Sequence, residues 1–421
     1  HQSECVDSRG LSRDHHLLRD LLALEAKRTF PERLPELHGR AADWFAAQGD
    51  RGQAVEHRLA AGDVAGGMDL MRFVGSDLLG QGQIRTLQRL LERIGVAASD
   101  DAVCAMLWGW CEYLGGRYAA AQHWLDRASD VWPPIFDPML AMPLRINVAL
   151  GRGDVATALE MARTVTAQGD LPTRPAELAT AVGAAYMWAG LAPEARESLA
   201  VAVVKATLDQ RFTAHTMALV SMAIAELDDG DIAAARSAAA AALSTAQSFG
   251  LAAYHGVAPA VAVSARTATD AEQARVDAVH AVDLARRATT DLGRAFVLTT
   301  AGDTLLGLGD EGGMALLAEA RSIIDLCVDP GVAGRALARA EARHGSRTAP
   351  TTPTTQLVEQ LTERELTLLR YLPSQMSLRE IAAELFVSLN TAKTHSSAIY
   401  RKLGVTDRKS AVQAARSLQL L

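Results

Sequence analysis

Met376-Ser-Leu-Arg-Glu-Ile-Ala-Ala-Glu-Leu-Phe-Val-Ser-Leu-Asn-Thr-Ala-Lys-Thr-His395 holds two helix starts within a short span. Ser377 is placed as an N-cap with Glu380 three residues on, so that hydroxyl and carboxylate satisfy each other's helix-end amides, and Met376 and Ile381 form a hydrophobic staple across them. This helix runs to about Leu385. After the turn Phe386-Val387, Ser388 caps a second helix that reaches Leu403, where Gly404 supplies a left-handed C′ residue. Two helices joined by so short a turn make a helix-turn-helix, and the second of them is the candidate for a major groove.

Working outward, Leu361-Thr-Glu-Arg-Glu-Leu366 repeats the capping device, with Thr362 as cap, Glu365 reciprocating and Leu361 stapled to Leu366. A further helix is expected from Asp407 or Arg408 to about Leu418. At 100° per residue, Ala392, Ser396, Ile399 and Leu403 share one side of the second motif helix and are assigned to the core. Asn390, Lys393, Thr394, Ser397 and Arg401 occupy an arc of about 100° on the other side. That strip is small, polar and basic: an amide and a lysine suit base edges, and hydroxyls and an arginine suit phosphates. By composition alone, Lys393, Arg401 and Arg408 would be a solvated helix face. His395, at the strip's edge, is equally a packed residue or a phosphate contact.

Residues Leu361 to Leu421 closely resemble the LuxR-type helix-turn-helix. The resemblance rests on Leu-Thr-x-Arg-Glu at the start, Glu380-Ile-Ala382, Thr391-x-Lys393-x-His395, Ile399-Tyr-x-Lys-Leu403 and Val405. It implies a four-helix domain that binds double-stranded promoter DNA, with base contacts from Lys393, Thr394 and Ser397 and in some members Asn390, and backbone contacts around them. Thr391, His395, Arg401, Lys402, Arg408 and Lys409 complete the candidate DNA-binding set. The resemblance also implies dimerisation on DNA through the fourth helix, for which Ala411, Ala414 and Ala415 offer a small-residue contact, and RNA polymerase as a further partner. Departures include Gln375, where the family has a turn glycine, and the small pair Ser396-Ser397.

Upstream, His344 to Gln356 has two prolines among threonines and no apolar periodicity, the composition of a linker. Before it, a Gly-centred turn followed by an Ala-rich amphipathic helix recurs at Gly82, Gly116, Gly153, Gly190, Gly230 and Gly309, with Asp270-Ala-Glu filling the one gap. The spacing of about 34 to 40 residues is that of a helical-pair repeat. These units resemble the tetratricopeptide-like superhelix of large LuxR-type regulators of the maltose-activator class. His15-His16-Leu-Leu-Arg-Asp-Leu-Leu and Ala41 to Asp50 look like the segment that leaves the ATPase module in that class. The expected fold is therefore all-α: residues 1–60 as the end of a winged-helix-like piece leading into the repeats, 61–343 as an α-solenoid sensor, 344–356 as linker, and 357–421 as the LuxR-type domain. The resemblance implies a small-molecule or protein effector at the solenoid, and suggests an ATPase domain ahead of residue 1.

Charge fits this division. The chain of 421 residues carries a formal −7, yet from Leu361 onward nine basic residues face five acidic ones, a local +4 that leaves −11 for the rest. Phosphate neutralisation needs local positive charge. A content of 49% hydrophobic and 22% charged residues is that of a folded, cytoplasmic chain, and no apolar run approaches the roughly 18 to 20 residues of a membrane span. Cys104 and Cys111, if helical, lie about 10 Å apart, too far to bridge. No P-loop, nucleophile elbow or paired-cysteine zinc spacing occurs, so no catalytic, cofactor or metal residues are assigned and no enzyme activity is expected. His15 and His16 beside Asp14 point about 100° apart and are read as ordinary helix residues. Trp108, Trp110, Trp124, Trp132 and Trp188 are read mainly as packing between repeats, with an aromatic effector pocket as the sharper option. Two other readings stay open: an interaction scaffold whose helix-turn-helix is degenerate, and the detached end of a signal-transducing ATPase.

Overall fold

The computed structural model describes residues 21, 24–133, 137–169, 171–251, 254–288, 290–344, 363–372, 381–382, 389–402, 405 and 408–417. His15, His16 and most of the expected linker lie outside them. The chain divides into two compact units, 1–344 and 345–421. Both are built from helices, and among the described residues the only β-type pairing is an isolated bridge between Asp154 and Asp329.

The first unit is an array of paired helices. In chain order these are α1 (Leu34–Ala47), α2 (Arg51–Ala60), α3 (Val64–Gly80), α4 (Ile84–Ile94), α5 (Ala102–Leu114), α6 (Tyr118–Asp130), α7 (Met142–Gly151), α8 (Val155–Thr166) and α9 (Ala176–Ala189). There follow α10 (Ala192–Leu208), α11 (Phe212–Asp229), α12 (Ile232–Ser248), α13 (Ala258–Thr267), α14 (Ala271–Ala288), α15 (Asp291–Gly307), α16 (Gly313–Ile324) and α17 (Gly331–His344). The recurring glycines are the turns inside the pairs from α3–α4 to α15–α16, which is why their spacing equals one repeat. Residues 34–60, expected as the end of a winged-helix-like piece, are the helix pair α1–α2.

The physics of that turn is local. All six glycines have positive φ, from +72° to +91°, where an L side chain would be strained. At Gly153 and Gly230 the amide of the following aspartate returns to the carbonyl five residues back, Asp154 to Ala149 and Asp231 to Glu226, as in a Schellman motif. The same aspartates then cap the next helix, Asp154 accepting from the Thr157 amide and Asp231 from the Ala234 amide. A Gly-Asp dipeptide thus ends one helix and starts its partner. Gln210 occupies the equivalent position between α10 and α11 at φ +54°, the one non-glycine with positive φ among the described residues.

Alanine and glycine set the helix spacing. Ala235, Ala239 and Ala242 of α12 are fully buried, as are Ala195 and Ala202 of α10. The α15–α16 pair comes closer still, because a Cβ at Gly302 would stand 2.9 Å from the Gly313 carbonyl oxygen. Larger side chains such as Phe296, Leu199 and Met187 fill the spaces between.

An open solenoid makes contacts only between neighbouring repeats. This array also joins distant ones. The Asp329 amide donates to Gly153 O at 2.8 Å, and α17 packs on α9 as well as on α15 and α16. On the opposite flank Arg211 donates to Ser76 O at 2.8 Å and Thr213 to Gly80 O at 2.8 Å, tying the start of α11 to the end of α3. These ties wrap the array around an interior space. Two adjoining cavities of about 80 and 100 Å³ lie there, sharing walls from Tyr113, Asn147, Met217 and Tyr254.

The tryptophans divide accordingly. Trp108 stacks on Trp124 at 5.7 Å between ring centroids, and Trp132 packs at the α6–α7 junction. Trp110 and Trp188 reach the interior cavities. Cys104 and Cys111 are free and fully buried, and burial raises both thiols, Cys111 to about 12. They are inert packing residues.

Candidate nucleic-acid interface

The second unit shows α18 (Glu363–Tyr371), α19 (Leu389–Lys402) and α20 (Arg408–Ser417), with helical residues Ile381 and Ala382 between α18 and α19. The turn 383–388 and the cap residues Thr362, Ser377 and Ser388 lie outside the described residues. Leu368 and Leu369 from α18, Leu372 just after it, Ile381, Ala382, Ile399 from α19, and Ala411 and Ala415 from α20 form one buried core. Tyr371, Tyr400, Val405 and Val412 close its rim.

Helix α19 is oriented by that core. Ile399 is fully buried and Ser396 nearly so, its hydroxyl donating back to Lys393 O at 3.1 Å. A small side chain at 396 is therefore a packing requirement of this helix, which accounts for the departure there. Lys393 is exposed, and His395 is half-buried at the flank. Asn390, Thr391, Thr394, Ser397 and Arg401 are helical backbone positions on α19, and Lys409 is one on α20; their side chains are outside the description. Val405 N returns to Tyr400 O at 2.8 Å, the same helix-ending bond that recurs in the first unit.

Two of the candidate basic residues turn inward. Lys402 Nζ lies 2.9 Å from Glu365 Oε2, with the side chains 8% and 6% exposed, so the pair joins α19 to α18 inside the unit. Arg408 is half-buried, and its Nε donates to Leu372 O at 2.9 Å. It thereby closes the C-terminal end of α18, where free carbonyls and the helix dipole favour a cation. The sequence holds a signal for the first of these. At 100° per residue Lys402 falls about 130° from the centre of the reading strip and on the flank nearer the core. Glu365 was read only as a helix cap; nothing local in the sequence marks it as an ion-pair partner 37 residues away.

Of the three alanines expected at a dimer contact, the side chain of Ala414 lies outside the described residues. Ala411 and Ala415 are fully buried against Ile381 and Ile399 of their own unit, so they are not available to a second copy.

Among the described residues no cluster of histidine, cysteine and carboxylate side chains could hold a metal ion, and no helix is long and apolar enough to cross a membrane.

Comparison with known proteins places this unit. The family of bacterial regulatory proteins known as the luxR family matches residues 359–415. The chain is 33% identical over 116 residues to the serine/threonine-protein kinase PknK of Mycobacterium tuberculosis, a match covering 27% of this chain and 10% of that protein. It is 41% identical over 75 residues to the probable transcriptional regulatory protein NarL of the same organism, covering 18% and 32%. Over 71 residues it is 42% identical to the HTH-type transcriptional regulator MalT of Serratia proteamaculans, covering 17% and 8%. The chain thus spans between about a tenth and a third of these relatives. Residues 359–415 are a LuxR-type helix-turn-helix domain, carried here beside an all-helical array.

Proposed function

We propose that the chain is a transcriptional regulator whose α19 enters the major groove of promoter DNA. The observation that carries this reading is the asymmetry of α19: Ile399 and Ser396 are locked into the core, while Lys393 projects to solvent, on the face to which helical periodicity assigns Asn390, Thr394, Ser397 and Arg401. A helix fixed by one side and offering amide, hydroxyl and basic groups on the other suits base edges and phosphates together. NarL and MalT, both named as regulators, support the same reading.

Within it, Lys393 and Asn390 address bases, Thr394 and Ser397 lie alongside them, and Thr391, His395, Arg401 and Lys409 flank the backbone. Lys402 and Arg408 are reassigned to holding the domain together, because their charges are already engaged by Glu365 and by carbonyls of Tyr371 and Leu372. The helical array is the sensing part, a role supported by its cavities and its likeness in pattern to the maltose-activator class.

The test is an electrophoretic shift of the full chain on mixed duplex DNA at rising salt. Binding that weakens steeply with salt, and is further weakened by Lys393→Ala, supports the proposal. Absence of any shift at low salt would favour the interaction-scaffold reading.

A further inference from the structure

A third cavity, of about 210 Å³, shares no lining residue with the interior pair and lies among α11, α13, α15 and α17. Its wall carries three arginines, Arg266, Arg339 and Arg343, against two carboxylates, Asp228 and Asp303. Asp303, 7% exposed, is held at 3.1 Å by Arg266 Nε and at 2.7 Å by Arg343 Nη2, and its other oxygen meets His344 Nε2 at 2.9 Å. Burial alone would raise its pKa, but the bonds from Arg343 and His344 and the Arg266 charge together bring it below the ordinary value. Asp228 pairs with Arg339 and, at 3.2 Å, with Arg335. Each guanidinium carries five donors in a fixed fork, so these pairings leave donors on Arg266, Arg339 and Arg343 beside the cavity.

Thr299 of α15 stands behind this wall: the residue is 2% exposed, and its Oγ1 has almost no accessible surface and no hydrogen-bond partner. Most buried threonines on these helices satisfy themselves by bonding back to a carbonyl four residues earlier, as Thr216, Thr267 and Thr304 do. The cavity itself is faced by the arginines.

We propose that this cavity binds the phosphate group of a small phosphorylated metabolite. A tetrahedral dianion presents several acceptor oxygens at once, which three arginines on one cavity wall can meet, whereas a single carboxylate would leave most of those donors unused. The cavity is smaller than the roughly 300–1,000 Å³ of sites for drug-sized ligands, so the ligand has few atoms beyond the phosphate. The location adds a consequence. Arg339 and Arg343 belong to α17, the last helix of the array before residue 345, so a ligand held between them and Arg266 of α13 clamps α17 to the body of the array. This inference deepens the reading of the array as sensor and does not depend on whether the second unit binds DNA.

The experiment is titration calorimetry of the full chain with inorganic phosphate, with a set of triose and pentose phosphates, and with the same sugars unphosphorylated, followed by hydrogen exchange at residues 331–344. The expected result is binding of a sugar phosphate at least tenfold tighter than inorganic phosphate, none by the free sugars, and slowed exchange in α17. Arg339→Gln and Arg266→Gln, which each remove one guanidinium from the cavity wall, are expected to fold and to bind at least tenfold more weakly. Binding of inorganic phosphate alone, binding unchanged in both variants, or no heat with any phosphate overturns the proposal. Loss of DNA binding with phosphate binding intact would instead count against the regulator reading and leave this site standing.

Discussion

Replacing Lys402 by methionine keeps the length of the side chain and removes its charge, and with it the ion pair that Lys402 makes with Glu365, 6% exposed, inside the second unit. Stranding one member of a buried pair costs about 3–5 kcal/mol. A domain of roughly 60 residues has only about 3–9 kcal/mol of stability in all, so Lys402→Met removes a third of it or more. Lys402→Met combined with Glu365→Leu removes both charges and is expected to return close to the parent, because apolar replacement of a whole buried pair is close to neutral. Hydrogen exchange of the full chain, read on peptides within residues 363–417, reports the opening free energy of this unit separately from the array. The reasoning is refuted if each single variant shifts that free energy by less than about 1 kcal/mol, the behaviour of a surface pair, or if the double variant is as unstable as the single ones.

Lys393→Ala removes an exposed charge, so thermal stability should hold within about 0.5 kcal/mol while DNA affinity falls by about 1–3 kcal/mol and the salt slope shrinks by about one unit. Gln210→Gly relieves a left-handed residue at φ +54° and should raise the stability of the array by up to about 1 kcal/mol in thermal unfolding. Gly331→Ala should do the reverse, by about 2 kcal/mol or more, since φ is +48° and the new methyl would meet the Trp188 carbonyl oxygen. His57, His215 and His255 all have pKa values lowered, first of all by burial. Their contribution is fully present above the unfolded value of about 6.5 and is lost as pH falls through the folded values. The unfolding midpoint should therefore drop on going below about pH 6.5, and less so in His255→Gln.

Much of the fold was legible in the sequence because its turns are chemically explicit. Glycine at a left-handed C′ position followed by a capping aspartate is a local requirement, and the spacing of Gly82 through Gly309 follows from it. The closure of the array was not legible, because it rests on contacts such as Asp329 with Gly153 and Thr213 with Gly80, between residues more than 130 positions apart with no local signature. In the second unit the orientation of α19 followed from helical periodicity, which placed Ser396 and Ile399 inward. Periodicity set Lys402 off the reading strip, but nothing of the kind marked Arg408, Ala411 or Ala415, since basic residues and alanines serve equally as surface or as interior, and only the packing of the helices decides between them. Thr299 carried no signal either, because its unpaired hydroxyl exists only once α15 meets α17.

The central claim is that α19 reads DNA through the strip bearing Lys393. Selection of bound sequences from random duplexes with the full chain at low salt tests it most directly. The account predicts enrichment of a defined sequence that Lys393→Ala loses or relaxes at one position while the fold is unchanged. Enrichment of no sequence, or of the same sequence with undiminished affinity in Lys393→Ala, would contradict it.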